Sequence, residues 1–288
     1  MTTFSTQTEK TNKTTAINIG RIQYINVNPV YYEFENQPLP DGMRLISEPP
    51  ATLNRMLKDG DLDISSISAS AFARNADDWL MLPDLSIACY GKVMSVLLVS
   101  RYEFEDLHGK SVFLTDESAT AVDLVKLLFA LQDVHPEFER RRVKSPEDLA
   151  DMAGAGLVIG DAALRHNWHE SYPHVWDLCE MWNDRTGLPF VFAVWAVRKT
   201  FAQTHPDLVR QVVEMLHRSK ASGLLHLSLI AERSARKLNI PLETCLTYFN
   251  SMYYNLSEPE ITCLNTFFKG LHDHRIIDNQ PEISFFRP

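Results

Sequence analysis

Ile22-Gln23-Tyr24-Ile25-Asn26-Val27-Asn28-Pro29-Val30-Tyr31-Tyr32 is the stretch whose reading decides the fold. Ahead of it, Ile17, Ile19 and Ile22 form a β-branched apolar run, the pattern of a strand. Asn26 and Asn28 end that strand, because their side chains compete with the ladder for backbone groups. Pro29 fits the first turn of a helix, where its missing N–H costs nothing. The spacing predicts a strand–turn–helix corner carrying a side-chain amide and free backbone N–H groups. Such a corner attracts anions without net positive charge. Taken alone, it is equally a plain βα turn, so its companions along the chain decide its meaning.

Outward from the corner, strands and helices alternate. Gln37 to Pro50 reads as a proline-rich loop with a short strand at Met43 to Ser47, and Ala51 to Lys58 as a helix stopped by Gly60. A strand at Leu62 to Ile67 runs into serines 65, 66, 68 and 70 and a short helix, Ala71 to Asn75. Serines at a helix entry cap it or face a ligand. Leu80 to Ala88 and Val93 to Ser100 read as strands, the second apolar enough to be buried on both faces.

Lys110 to Leu114 and Asp116-Glu117-Ser118-Ala119-Thr120 make a second corner before an amphipathic helix with Val122, Val125, Leu128 and Phe129 on one face. Gly156 to Gly160 is a short buried strand, and Asp161 after it either caps a helix or lines a cleft. Trp176 to Glu180 and Phe190 to Val197 read as strands. From Thr204 the pattern is helical, with capping boxes expected at Thr204 to Asp207 and Ser257 to Glu260.

The chain has 288 residues, 45% of them hydrophobic, and a formal charge of −9. That acidic balance argues against nucleic acid as a partner, since phosphate binding needs a basic surface. Arg140-Arg141-Arg142 is short and flanked by Glu137 and Glu139, so it reads as a solvated face. A helix-turn-helix likeness over Leu229 to Leu246 fails because Pro241 to Asn250 carries no basic residue. Cys89, Cys179, Cys245 and Cys263 form no CxxC pair. They read as reduced apolar fillers in a cytoplasmic protein. The histidines among His166, Trp168, His169, Tyr172 and His174 lack a third ligand in register, so no metal is expected. No stretch approaches about 18 apolar residues, so no membrane span is expected. Met1 to Thr15, polar and without an apolar core, reads as a disordered leader rather than a signal peptide.

The ordered set of motifs resembles the chorismate dehydratases of the futalosine route to menaquinone. It comprises Tyr24-Ile25-Asn26 with Pro29, Asp63-Ile64-Ser65-Ser66-Ile67, Ala73 to Asp78, Leu82-Pro83-Asp84-Leu85-Ser86-Ile87, and Gly91-Lys92-Val93-Met94-Ser95-Val96. Ile159-Gly160-Asp161-Ala162-Ala163-Leu164 and Trp182 to Trp195 complete it. The resemblance implies a two-lobed α/β type II periplasmic-binding-protein-like fold with the ligand cleft between the lobes, at strand carboxyl ends. The expected lobes are 16–100 with 198–288, and 101–197. It also implies a hydro-lyase that needs no cofactor and acts on chorismate. Asn26 and Ser95 would be the functional pair, with Tyr24, Ser66, Ser68, Ser118, Thr120 and Asp161 holding substrate. Where the family usually has Ser-x-Thr-Ser, this chain has Ser118, Thr120 and then Ala121, one hydroxyl fewer.

Other functions compete with this one. A solute-binding protein of the same fold would be expected to carry an export signal or lipobox cysteine. The effector domain of a transcription regulator needs a DNA-binding helix pair, and Met1 to Ala16 is too short to hold one. The later pathway enzyme acting on dehypoxanthine futalosine shares the fold but differs at the first corner.

Overall fold

The structure is a computed structural model that describes residues 16–149 and 153–287. The expected leader at Met1 to Thr15 lies outside the described residues. The strands are β1 (Ile17–Ile22), β2 (Met43–Glu48), β3 (Ile64–Ser68), β4 (Trp79–Cys89), β5 (Val96–Ser100), β6 (Ser111–Leu114), β7 (Glu137–Arg140), β8 (Ala155–Ile159), β9 (His174–Asp177), β10 (Phe190–Arg198) and β11 (Met252–Tyr253). They form two sheets, a six-stranded one in the order β11-β4-β10-β3-β1-β2 and a five-stranded one in the order β7-β6-β8-β5-β9. The chain passes between the sheets twice, from β4 to β5 and from β9 back to β10. In the first sheet β1 runs parallel to β2 and β3, and β10 is antiparallel to β3 and β4. In the second, β6 is parallel to β7 and β8 while β5 is antiparallel to β8 and β9.

These memberships depart from the expected lobe bounds. Val96–Ser100 belongs to the five-stranded sheet and Phe190–Arg198 to the six-stranded one. We propose that the lobes divide at the crossovers themselves rather than at Ser100 and Val197.

Local chemistry explains where the elements begin and end. β1 buries Ile17, Ile19 and Ile22. Ile25–Val27 is one turn of 3-10 helix, and the α-helix begins only at Tyr32, so Pro29 sits in the turn and not in a first helical turn. The helix Pro206–Leu225 locks this corner from behind: a Cβ at Gly223 would lie 2.0 Å from the Pro29 carbonyl oxygen. From the same helix, Ser219 Oγ accepts a bond from Glu33 N at 2.9 Å. Only glycine permits so close a backbone approach.

Two strands are shorter than the apolar runs suggest. β5 starts at Val96 because Met94 is left-handed, with φ 62°. β9 stops at Asp177, whose carboxylate accepts from Cys179 N at 3.0 Å and Glu180 N at 3.3 Å and so starts the helix Leu178–Thr186. The box at Ser257 and Glu260 forms. The one expected at Thr204 does not: Thr204 Oγ1 donates to Thr200 O at 2.9 Å, closing the last turn of the helix Lys199–Thr204. Trp168 and Tyr172 belong to a small second core on the five-stranded sheet, whereas His166 and His169 are exposed.

Candidate active site

A cavity lies between the two sheets, lined by residues from both. Its polar wall is Tyr24, Asn26, Ser68, Ser95 and Ser118, and its apolar wall includes Ile87, Val93, Phe192 and Met252. Each polar residue stands where regular structure ends. Tyr24 and Asn26 belong to the corner after β1. Ser68 closes β3 and caps the helix Ala69–Arg74, its Oγ accepting from Ala71 N at 3.3 Å. Ser118 caps Ala119–Leu131 in the same way, accepting from Ala121 N at 3.3 Å. Ser95 lies in the first crossover.

Asn26 is the least satisfied of them. Its Oδ1 is buried and has no hydrogen-bond partner among the described residues. Buried polar oxygens are nearly always paired, so an unpaired one on a cavity wall marks a place for a donor.

Three expected substrate contacts stand behind the wall. Ser66 Oγ accepts from Ile22 N at 3.0 Å and from Tyr31 Oη at 3.4 Å, fixing β1 against β3. Thr120 Oγ1 accepts from Ser70 N at 3.0 Å. Asp161 accepts from Ile25 N at 3.4 Å and does not cap its own helix, whose N-cap is Gly160. All three are used by backbone N–H groups before any ligand arrives. Ala121 is buried and off the cavity wall, so the hydroxyl absent there leaves no gap in the wall.

Among the described residues, the cavity wall holds no Lys, Arg, His, Asp or Glu. Its ionisable group is the Tyr24 phenol, which burial and then the Glu117 charge push well above 10.0, so it stays neutral. Tyr24 Oη donates to Glu117 Oε2 at 3.3 Å. Positive potential comes instead from helix ends. Pro50 begins the helix Pro50–Asp59, Ser68 and Ser118 cap theirs, and Gly160 caps Asp161–Arg165. All four residues line the cavity. Helix N-termini favour an anion through their partial positive charge, although Ala71 N, Ala121 N and Ser70 N are already taken by Ser68, Ser118 and Thr120.

Sequence reasoning missed one polar neighbour. Tyr248, on the helix Leu242–Ser251, donates to Ser95 Oγ at 3.2 Å. It lies 153 residues along the chain, in a segment with no motif to single it out.

A family described as menaquinone biosynthesis matches residues 17–273. The chain belongs to this family. Within it, the chain is 34% identical over 269 residues to a chorismate dehydratase of Thermus thermophilus, covering 88% of this chain and 94% of that protein. It is also 29% identical over 194 residues to a 1,4-dihydroxy-6-naphtoate synthase of the same organism, covering 66% of each. Among solved structures, the periplasmic aliphatic sulphonate binding protein of Escherichia coli superposes with a TM-score of 0.62 at 13% identity, covering 93% of this chain and 90% of that one. That likeness concerns the fold alone, and with the two sheets it establishes a two-lobed, periplasmic-binding-protein-like α/β architecture.

Proposed function

We propose that the protein is a hydro-lyase of menaquinone biosynthesis that converts chorismate to 3-[(1-carboxyvinyl)oxy]benzoate. The observation that carries this reading is the unpaired, buried Asn26 Oδ1 on the wall of a charge-free cavity ringed by helix N-termini. An acceptor oxygen suits the substrate's ring hydroxyl rather than a carboxylate, which has no proton to give. The helix ends suit the two carboxylates. The higher identity and fuller coverage against the chorismate dehydratase favour this substrate over that of the naphthoate synthase.

The elimination removes hydroxide from one ring carbon and a proton from its neighbour, which bears the enolpyruvyl ether. Asn26 and Ser95 hold the departing hydroxyl. With no carboxylate or imidazole on the wall, a carboxylate of the substrate itself takes the proton. That proton and the hydroxide make the water released. Aromatisation supplies much of the driving force, so orientation is the main demand on the protein. Ile87, Phe192 and Met252 keep the reacting face dry.

A cytoplasmic location is part of the proposal. Cys89, Cys179, Cys245 and Cys263 are all free and buried, as suits a reducing compartment. No helix among the described residues is long and apolar enough to cross a membrane.

The shared architecture with the sulphonate binding protein supports a second reading, a non-catalytic binder of small anions. Incubation with chorismate, without added metal or nucleotide, separates the two. The diene absorbance should disappear and the product mass should be that of chorismate less one water. Chorismate bound but unchanged would reject the hydro-lyase, and turnover abolished by a chelator would reject its metal-free mechanism.

A further inference from the structure

Ser95 is held on three sides, and only one of the three is directed at its hydroxyl. Its backbone is fixed by neighbours: Met94 N donates to Asp177 Oδ2 at 2.6 Å, and the Ser95 carbonyl accepts from Gly160 N at 2.7 Å. What remains free is the hydroxyl rotor. Tyr248 Oη donates to that Oγ at 3.2 Å. Tyr248 itself is 2% exposed and does not line the cavity.

We propose that Tyr248 is a positioning residue for the dehydration, its hydroxyl turning the Ser95 proton toward the departing substrate hydroxyl. This rests on the hydro-lyase reading above. A serine oxygen that accepts from one side donates to another, so a donor behind Ser95 makes Ser95 a donor in front. Chained hydroxyls also polarise one another, which strengthens the forward bond. Burial holds the Tyr248 phenol well above its ordinary 10.0, so it remains a donor across the neutral and mildly alkaline range. No proton leaves either side chain. Both orient, and the water is made from substrate atoms alone.

The test is a double-mutant cycle on chorismate turnover. Tyr248→Phe keeps the ring and its packing and deletes one hydroxyl. It should lower kcat about tenfold, the value of one oriented hydrogen bond, with KM nearly unchanged. The Ser95→Ala, Tyr248→Phe pair should be no slower than Ser95→Ala alone, because Tyr248 acts only through Ser95. An unchanged kcat in Tyr248→Phe, or losses that multiply, overturns the proposal.

A second measurement needs no turnover. In protein labelled with [ζ-13C]tyrosine, the Tyr248 resonance, assigned by its loss in Tyr248→Phe, should shift in Ser95→Ala. A static resonance overturns the contact and the inference with it. If wild-type protein leaves chorismate intact, the hydro-lyase reading fails separately. A shifted resonance then keeps Tyr248 as the group that turns Ser95 toward whatever the cavity binds.

Discussion

Asn26 and Ser95 reach one cavity from separate elements, and their surroundings assign them different work. Asn26 offers an unpaired acceptor, whereas Ser95 is 4% exposed and already accepts from Tyr248. Asn26→Asp keeps the size of the side chain but sets a negative charge against a dianionic substrate. Ser95→Ala removes a hydroxyl only. Each should lower turnover by roughly 10²-fold or more, the lower range for orienting groups. Unfolding free energy should fall by less than about 2 kcal/mol in either. Denaturant melts and turnover per folded molecule check both, and normal turnover in either variant removes that residue from the mechanism. Both residues sit in the ordered motifs, and both lie on the cavity wall. Ser66 and Thr120 sit in motifs too, yet they serve backbone N–H groups. A hydroxyl in a sequence looks the same whether it faces a cavity or an amide, and only its partners in the fold separate the two.

Helix starts do double duty in this fold, and some caps were legible while those at Thr204 and Asp161 were not. Ser68, Ser118 and Ser257 all cap as their sequences suggest. Ser118→Ala and Ser257→Ala should each cost about 1 kcal/mol of stability. Only Ser118→Ala should raise KM, since Ser257 starts a helix, Glu258–Asp273, that does not reach the cavity. Equal KM values for the two would deny the helix end a part in binding.

Asp161 was harder to read, because its partner is Ile25 N on the other sheet's corner rather than its own helix. Burial raises its carboxyl above 3.8, and the Ile25 N–H draws it partly back. The folded state therefore binds that proton more readily than the unfolded state. Stability tied to this group is fully present below 3.8 and declines as pH rises through the raised value. Asp161→Asn lacks that decline. Its melting temperature should gain on wild type across that window and then run parallel; a constant difference from acid to neutral pH would contradict the assignment. Asp177 shows the limit of periodicity. Trp176 to Glu180 reads as a strand, but one carboxylate placed to accept Cys179 N and Glu180 N turns it into a helix.

Across the whole molecule, the two sheets are fastened over the cavity by a few polar contacts. Tyr24 Oη meets Glu117, Ile25 N meets Asp161, and Ser70 N meets Thr120. On the helices Ala69–Arg74 and Ala119–Leu131, Arg74 pairs with Asp123 at 2.6 Å. The two-lobed plan was implied by the motif resemblance, but these fastenings were not, because each joins residues distant in sequence. Hinged two-lobed folds open and close about such crossovers, and contacts that bridge the sheets bias that equilibrium toward closure. Tyr24→Phe tests the fastening, with scattering separating closure from a direct contact of the Tyr24 hydroxyl with the ligand. It deletes the hydroxyl that Glu117 accepts from while Glu117 keeps Arg142 at 3.4 Å and Lys144 at 3.6 Å. No carboxylate is left unpaired, so the variant loses closure without losing its fold. One partly exposed hydrogen bond corresponds to roughly threefold to tenfold in equilibrium, so KM should rise by about that factor while kcat changes far less. Small-angle scattering supplies the geometry. Wild type should compact when saturated with the benzoate product, and ligand-free Tyr24→Phe should be more extended than ligand-free wild type. Indistinguishable profiles at demonstrated saturation would mean that the lobes are rigidly joined and that the contacts over the cavity hold nothing that moves.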